Sequence, residues 1–230
     1  MSIQGGTKLK PNRKRLTAME RKNQHYSSQF PDVRVKVFTV PVSLCRHLYL
    51  FKTITGIFSY KKLDLGTKVF IEHMTIPKKG GNLLDLGCGY GAIGIVLAYL
   101  SPQSSVYLID TNKRALWCTK ENIKYNVSER SGKVIVLHGS YFKPLQDKNI
   151  KFDAIYMNPP LRNGRKEFLA LCKDIPLFLK RNGQFQFVIK KKLGANYIYN
   201  YLIQNLSDLY ENISVTFKRS GYWIFSLVSI

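Results

Sequence analysis

The tetrapeptide Asn158-Pro159-Pro160-Leu161 is the segment of this chain whose residue types most clearly indicate a chemical function. It follows an apolar run, residues 152–157, that is typical of a buried strand. Two consecutive prolines cannot continue a strand, because each lacks an N–H and has a fixed φ, so the backbone after the strand is stiff. A rigid loop with an amide side chain and free carbonyls is suited to holding a planar amino group. The tetrapeptide alone is also compatible with a surface turn that does no chemistry.

A glycine-rich stretch, Asp85-Leu86-Gly87-Cys88-Gly89-Tyr90-Gly91, joins a predicted strand to a predicted helix. Glycines at such a junction let the backbone turn sharply and approach a ligand, and the N-terminus of the helix follows at once. Asp110 ends the next predicted strand, where a carboxylate can accept hydrogen bonds from both ribose hydroxyls of a nucleoside. The loop and Asp110 together predict a site for a nucleoside cofactor.

Two cofactors are compatible with this loop. Gly87, Gly89 and Ala92 satisfy the dinucleotide fingerprint, which allows NAD. Gly87, Gly89 and Gly91, preceded by Asp85, also resemble motif I of class I S-adenosylmethionine-dependent methyltransferases. An NAD enzyme has no evident use for a rigid Asn-Pro-Pro at a later strand end. An enzyme that transfers a methyl group to an amino nitrogen does have a use for it. We therefore favour S-adenosylmethionine over NAD.

The elements that must position these residues alternate between strands and helices. The predicted strands are 33–37, 48–51, 82–86, 106–110, 134–137, 152–157, 184–190, 213–217 and 222–228. The predicted helices are 66–74, 92–100, 114–125, 166–179 and 195–206. The alternation predicts an α/β fold with a doubly wound, mostly parallel sheet, and the last two strands predict an antiparallel hairpin. Because ligands bind outside the carboxyl ends of the strands in such sheets, Gly87, Asp110, Asn158 and Lys190 are expected to converge.

The charge of the chain predicts a polyanionic partner. Its 230 residues contain 36 Lys and Arg against 14 Asp and Glu, a formal net charge of +22. Nucleic acid and an anionic membrane surface would both suit that charge. The apolar stretches are too short for a membrane span and the chain opens on polar, basic residues without a signal peptide, which favours nucleic acid, RNA or DNA, over a membrane. Residues 1–29 are polar and basic, with seven Lys and Arg against Glu20 alone, and are expected to form an arm that contacts phosphates.

The cysteines and histidines indicate neither disulfides nor a metal site. Cys45, Cys88, Cys118 and Cys172 are widely spaced, no pair has ligand spacing, and the four histidines are scattered. We expect free thiols in a reducing compartment, and hence a cytoplasmic protein without a metal.

A series of short motifs resembles one family. In chain order the motifs are Phe58-Ser59, 62–67, 85–91, 110–112 and 158–161. The series is similar to the small-domain methyltransferases typified by ribosomal RNA guanine-N2 methyltransferases, and the opening His25-Tyr26-Ser27 also looks like that group. The resemblance covers roughly residues 25 to 230 and implies the seven-stranded class I methyltransferase sheet. The chain then divides into the basic arm, 1–29, and a methyltransferase domain, 30–230.

The resemblance also implies roles for individual residues. Gly87, Cys88, Gly89 and Gly91 would pass along S-adenosylmethionine, Asp85 would lie near its amino group and Asp110 would bind its ribose. Thr67 and Phe58 would lie near its methionine end. Ser140 occupies the place where many relatives carry an acidic residue that contacts the adenine.

Leu161 departs from the pattern of the family. Relatives usually carry an aromatic residue after Asn-Pro-Pro, where it stacks on the target base, a contact worth about 1–3 kcal/mol. Either another aromatic residue, Phe58 or Tyr60, supplies the stack here, or the substrate differs.

The expected reaction is direct methyl transfer to an exocyclic amine. The side-chain oxygen of Asn158 and the carbonyl of Pro159 would accept the two amine hydrogens and leave the nitrogen lone pair aimed at the methyl group. Pro160 would stiffen the loop, and in-line positioning and fixed acceptors would supply the acceleration without a strong base. Basic residues near the predicted strand ends would guide the RNA backbone: Arg162, Arg165, Lys166, Lys190, Lys191 and Lys192.

The main hypothesis is an RNA guanine-N2 methyltransferase that acts on rRNA, or alternatively on tRNA. Adenine-N6 methyltransferases of nucleic acid and glutamine methyltransferases of release factors also use Asn-Pro-Pro. The positive charge argues against a protein substrate, and the segment 58–67 argues against the adenine enzymes by resemblance. A catalytically inactive RNA-binding assembly factor is a further alternative, although it would not need the glycine loop, Asp110 or Asn158.

Overall fold

The structure is a computed structural model that describes residues 35–161 and 164–230. The predicted arm, 1–29, and the candidate RNA-contacting residue Arg162 lie outside the described residues.

Strands and helices alternate along most of the described chain. The strands are β1 (Val37–Leu44), β2 (His47–Ile54), β3 (Asn82–Leu86), β4 (Ser105–Asp110), β5 (Lys133–His138), β6 (Phe152–Met157), β7 (Leu179–Lys190), β8 (Tyr210–Arg219) and β9 (Tyr222–Ser229). The helices are α1 (Leu65–His73), α2 (Ala92–Leu100), α3 (Lys113–Asn126), α4 (Lys166–Asp174) and α5 (Ala195–Leu206). Four predicted elements, 82–86, 92–100, 152–157 and 195–206, have the predicted bounds.

Seven strands form one sheet in the order β5-β4-β3-β6-β7-β9-β8. The first five are parallel, and β9 runs antiparallel to both β7 and β8. This arrangement confirms the predicted α/β fold, a mostly parallel seven-stranded sheet that ends in an antiparallel hairpin.

Both faces of the sheet are covered, which explains the apolar runs in its central strands. Successive side chains of a strand point to opposite faces, so Leu83 packs into one hydrophobic core and Leu84 into the other. The first core includes Ile95 and Val96 of α2, and the second includes Phe168 of α4 and Ile198 of α5.

The predicted helix 166–179 was too long. The α-helix ends at Asp174, a 3₁₀ turn follows over Ile175–Phe178, and β7 begins at Leu179. Pro176 accounts for the change, because it cannot donate the N–H that an α-helix would need there. β7 then pairs irregularly with β6, whose partner residue shifts from Leu179 to Gln184.

The predicted first strand, 33–37, lies partly outside the described residues, and of its described part only Val37 belongs to a strand. The strand occupies Val37–Leu44 and forms a hairpin with β2 through Cys45 and Arg46, both with positive φ. Pro41 lies within it, and a proline is tolerated there because β1 is an edge strand that pairs with β2 alone.

Helix α3 covers the outer edge of this hairpin with two asparagines. The amide of Asn126 pairs with the backbone N–H and C=O of Leu50, at 2.9 and 3.0 Å, and that of Asn122 pairs with those of Lys52, at 2.6 and 3.0 Å. The buried Asn122 also donates to the carbonyl of Tyr90 at 2.9 Å. The two side chains thus replace a neighbouring strand and tie the hairpin to the glycine loop.

Candidate active site

A cavity of about 1100 Å³ opens at the carboxyl ends of β3, β4, β6 and β7. Gly87, Asp110, Asn158 and Lys190 all line it, as the expected convergence of strand ends requires. Its volume slightly exceeds the roughly 300–1,000 Å³ of single-ligand pockets, so it has room for two ligands side by side. We call the wall around the glycine loop and Asp110 the donor half and the wall around Asn158 the acceptor half.

The glycine loop of the donor half is an open cradle. Gly87 and Gly89 have φ values of 76° and 58°, which side chains rarely tolerate. A methyl group added to either glycine would meet no atom within 4 Å, so both face free space. The N–H groups of Gly87 and Cys88 donate to the carbonyl of Ile109 at 2.8 and 2.9 Å, which anchors the loop on β4.

Gly91 has a different task. It begins α2 with a φ of 88°, and a methyl group there would lie 3.0 Å from Thr119 and 3.2 Å from Ile95. It therefore permits close packing, and it does not line the cavity. Cys88 does line the cavity, and burial raises the pKa of its thiol well above its usual value, so the thiol is protonated.

Asp110 lies at the end of β4 and lines the cavity. Its Oδ2 accepts the N–H of Gly89 at 2.8 Å and its Oδ1 accepts the N–H of Asn112 at 2.7 Å. Burial raises the pKa of this carboxyl, while its backbone hydrogen bonds oppose that rise. Each carboxylate oxygen has a second lone pair, so the group can hold the loop and still accept hydroxyl groups from a ligand.

Asp85 lies beneath the loop and does not line the cavity. Its Oδ2 accepts the N–H of Gly94 at 2.8 Å, whereas Oδ1 is buried without a partner among the described residues. Burial raises the pKa of this carboxyl to about 7. Asp85 therefore supports the open glycine cradle from beneath, through its bond to the first turn of α2.

The acceptor half is organised around Asn158. Its Nδ2 donates to Thr67 Oγ1 at 2.9 Å and to Asp64 Oδ2 at 3.2 Å. Because a carboxylate can only accept, the amide nitrogen has to face Asp64, and Oδ1 is the atom left for another ligand. Thr67 is buried, and Asp64 caps α1 by accepting the N–H of Thr67 at 2.9 Å. The start of α1 therefore fixes the amide with its acceptor available.

The loop after Asn158 is partly buried. Pro159 is buried, Pro160 is exposed, and both line the cavity. Leu161 also lines it, but only 7 % of its surface is exposed and most of it packs in the second core.

Aromatic side chains reach the acceptor half from two other places. Phe58 lines the cavity, whereas Tyr60 does not and packs against Phe38 at 5.4 Å between ring centroids. Tyr222 of β9 lines the cavity as well. Its ring lies against Gly66, where a methyl group would come within 2.6 Å of Cε1.

The basic residues divide into those at the cavity and those beside it. Arg165, Lys166, Lys190 and Lys192 line it, together with Ser140, whereas Lys191 is exposed outside the lining. The guanidinium of Arg165 lies 4.4 Å from the ring centre of Tyr197, and Lys190 lies 5.5 Å from that of Tyr222. The cavity therefore has a cationic rim.

Sequence reasoning missed the roles of two residues. Asp64 belongs to the motif 62–67, but no role was predicted for it. Its position three residues before Thr67 is nevertheless a helix-capping signal. No local signal marks Tyr222, which the antiparallel pairing of β9 with β7 brings next to Lys190.

The remaining features of the described part of the chain concern its helices, its cysteines and its metal-binding residue types. None of its helices is long and apolar enough to cross a membrane. Its cysteines are free thiols, and within the described ranges no group of three or more His, Cys, Asp or Glu side chains is arranged to hold a metal ion.

Comparison with known proteins identifies relatives along most of the chain. The YbxB protein of Bacillus subtilis, described as uncharacterized, is 33 % identical over 202 residues, which are 88 % of this chain and 96 % of YbxB. Ribosomal RNA small subunit methyltransferase C of Buchnera aphidicola (subsp. Cinara cedri) is 34 % identical over 181 residues, 74 % of this chain and 50 % of that protein. The chain thus spans nearly all of YbxB but about half of the rRNA methyltransferase.

A solved structure has the same fold. The T. thermophilus 16S rRNA N2 methyltransferase RsmC, determined in complex with AdoMet and guanosine, superposes with a TM-score of 0.69 at 19 % identity, over 87 % of this chain and 52 % of that one. The sequence model of the methyltransferase small domain matches residues 49–226. The chain therefore belongs to the methyltransferase small-domain family.

Proposed function

We propose that this protein uses S-adenosylmethionine to methylate the exocyclic amine of a base in RNA, with guanine N2 of ribosomal RNA as the first candidate. One observation carries the proposal. The amide of Asn158 is held through its nitrogen by Thr67 and Asp64, so that its oxygen is left to accept a hydrogen bond in the cavity that also contains the glycine cradle. Such an acceptor serves an amino substrate and would repel a carbonyl.

The donor half has the groups that S-adenosylmethionine requires. Gly87, Cys88 and Gly89 would lie along it, Asp110 would accept its ribose hydroxyls, and Ser140 would face its adenine. Asp85, buried beneath the loop, would lie near its amino group. When bound, this cofactor supplies an electrophilic methyl group on a sulfonium.

The acceptor half would make an aromatic amine more nucleophilic. Such an amine is a poor nucleophile because its lone pair is delocalised into the ring. Asn158 Oδ1 and the carbonyl of Pro159 would accept the two amine hydrogens, which favours a pyramidal nitrogen with its lone pair directed at the methyl group. Both acceptors are fixed before the substrate arrives, so they also stabilise the positive charge that develops on nitrogen. Phe58 and Tyr222 offer the aromatic surface that Leu161 lacks.

The charge of the protein supports RNA as the substrate. The net charge is +22, and Arg165, Lys166, Lys190 and Lys192 surround the cavity. Relatives named as ribosomal RNA methyltransferases match the chain over about half of their own length.

Incubation with tritiated S-adenosylmethionine and separate pools of rRNA, tRNA, DNA and release factors tests the proposal. We expect label in rRNA, recovered as N2-methylguanosine after digestion to nucleosides. Label in N6-methyladenosine or in protein would replace the proposal with an adenine or glutamine methyltransferase. If calorimetry detects no S-adenosylmethionine binding, the inactive RNA-binding factor becomes the better account.

Charge reversal at the rim tests the RNA contact separately. Lys190→Glu with Lys192→Glu is expected to raise the KM for RNA about 10-fold and to reduce its salt dependence, because two phosphate contacts are lost. Lys133→Glu with Lys148→Glu changes the net charge equally at exposed positions outside the cavity lining and serves as the control. An equal rise in KM for both double variants would mean that net charge matters and the rim does not.

A further inference from the structure

Asp64 has one oxygen that is fully used and one that is not. Its Oδ2 accepts from the backbone of Thr67 at 2.9 Å, from the Thr67 hydroxyl at 3.3 Å and from Asn158 Nδ2 at 3.2 Å. Within residues 35–161 and 164–230, Oδ1 makes no hydrogen bond. Asp64 lines the cavity. A carboxylate oxygen is therefore available next to the amide assigned to the target amine.

The charge on Asp64 is not neutralised by a neighbour among the described residues, whose salt bridges do not include it. Lys190, which also lines the cavity, faces the ring of Tyr222. Gly66 leaves room for this pair of side chains: a methyl group there would lie 2.9 Å from Asp64 Oδ2 and 2.6 Å from Tyr222 Cε1. Burial and the charge of Asp64 both raise the pKa of Tyr222, as expected for adjacent groups.

We propose that Asp64 recognises the Watson–Crick edge of the target guanine, with its free oxygen accepting the N1–H while Asn158 accepts from the neighbouring amine. This inference rests on the proposed function and names the residue that selects the base. Guanine presents two adjacent donors on this edge, N1–H and the N2 amine. Adenine presents an amine beside a bare N1 lone pair, which a carboxylate, having no hydrogen to donate, repels.

The same geometry explains how one family loop can serve two bases. Asn158-Pro159-Pro160 holds an amine and is indifferent to the atom beside it. Asp64 supplies the second contact, and because its hydrogen bond is charge-assisted, it discriminates more strongly than a neutral group would.

Asp64→Asn tests this directly. The new side chain keeps one oxygen for the cap of α1 and for Asn158, and asparagine caps helices as well as aspartate does. Its amide nitrogen replaces the free oxygen, which turns an acceptor into a donor. Two nucleosides serve as probes: guanosine, and 2-aminopurine riboside, which keeps the N2 amine but carries a lone pair at N1.

The measurement is the dissociation constant of each nucleoside, by saturation-transfer NMR, for the full chain saturated with S-adenosylhomocysteine. We expect the wild type to bind guanosine about 10-fold or more tightly than 2-aminopurine riboside, which corresponds to one hydrogen bond to a charged group. Asp64→Asn should lose or invert that preference, because it loses this bond. The two probes also differ at C6, so the change in the ratio between the proteins is the readout. The control, Asp208→Asn, alters an exposed carboxylate outside the cavity lining and should keep the wild-type ratio.

An unchanged ratio in folded Asp64→Asn would overturn the inference, and so would a wild type that binds neither nucleoside saturably. If Asp64→Asn does not fold, Asp64→Ser keeps a capping hydroxyl but cannot reach the base, and it should lose the preference without inverting it. Failure of this inference is distinguishable from failure of the proposed function. N2-methylguanosine in labelled rRNA together with an unchanged nucleoside ratio would reject the role of Asp64 alone.

Discussion

The two halves of the cavity are built in different ways. In the donor half, side-chain hydrogen bonds join residues that are close in sequence: Asp85 binds Gly94, Asp110 binds Gly89, and Thr119 and Asn122 of α3 bind the carbonyls of Gly89 and Tyr90. The acceptor half joins distant parts of the chain, because Asn158 binds side chains 91 and 94 residues away. Cofactor binding can therefore rest on a local motif, whereas alignment of the acceptor amine depends on the whole fold.

The substitution expected to impair cofactor binding by the donor half most strongly is Asp110→Ala. The variant removes the acceptors proposed for the ribose and releases the N–H of Gly89, so we expect the dissociation constant of S-adenosylmethionine to rise about 100-fold. Calorimetry measures it, with Asp147→Ala, at an exposed position outside the cavity lining, as the control. A change of threefold or less in Asp110→Ala would remove Asp110 from the cofactor site.

The donor half also contains the buried acid Asp85, which should make stability depend on pH. Because burial raises its pKa to about 7 in the folded state, the folded protein holds this proton more tightly than the unfolded chain does. The contribution to the free energy of unfolding is thus full below about pH 4, falls as the pH rises to about 7, and stays low above it. Its size is on the order of 2–4 kcal/mol.

Urea denaturation between pH 4.5 and 7.5 without cofactor checks this expectation. Asp85→Asn does not titrate at this position. The difference in free energy of unfolding, variant minus wild type, should therefore increase as the pH rises. Parallel curves for the two proteins would show that Asp85 titrates normally.

The contact of α3 with the β1–β2 hairpin also supports the donor half, and its loss should have a smaller effect. Asn122→Ala removes bonds to the backbones of Lys52 and Tyr90 in a buried position and should cost about 2–3 kcal/mol of stability. Asn126→Ala removes a similar pair at Leu50 near the surface and should cost about 0.5–1.5 kcal/mol. Thermal unfolding compares the two, and equal losses would mean that the link to Tyr90 adds nothing.

The contrast between the halves also explains what the sequence could predict. The glycine loop and Asp110 are close in sequence and follow strands with strong apolar runs, so both the elements and their convergence were predictable. Asp64 could not be assigned to the site, because a capping aspartate looks the same whether or not its second oxygen faces a ligand. Tyr222 reaches the cavity only through the pairing of β9 with β7.

The shift of the first strand has the same origin. The alternation in residues 33–37 predicted a strand, but among the described residues the strand begins only at Val37, where its pairing with β2 begins. Pairing between strands is a tertiary property that a single strand does not encode.

The most direct test of this account separates binding from chemistry in Asn158→Ala. Calorimetry gives its affinity for S-adenosylmethionine, and single-turnover methylation with saturating cofactor and rRNA gives its rate. We expect a dissociation constant within about twofold of the wild type and a rate reduced about 100-fold or more, as for the loss of one fixed transition-state acceptor. A near wild-type rate with intact cofactor binding would contradict the assignment of the acceptor half.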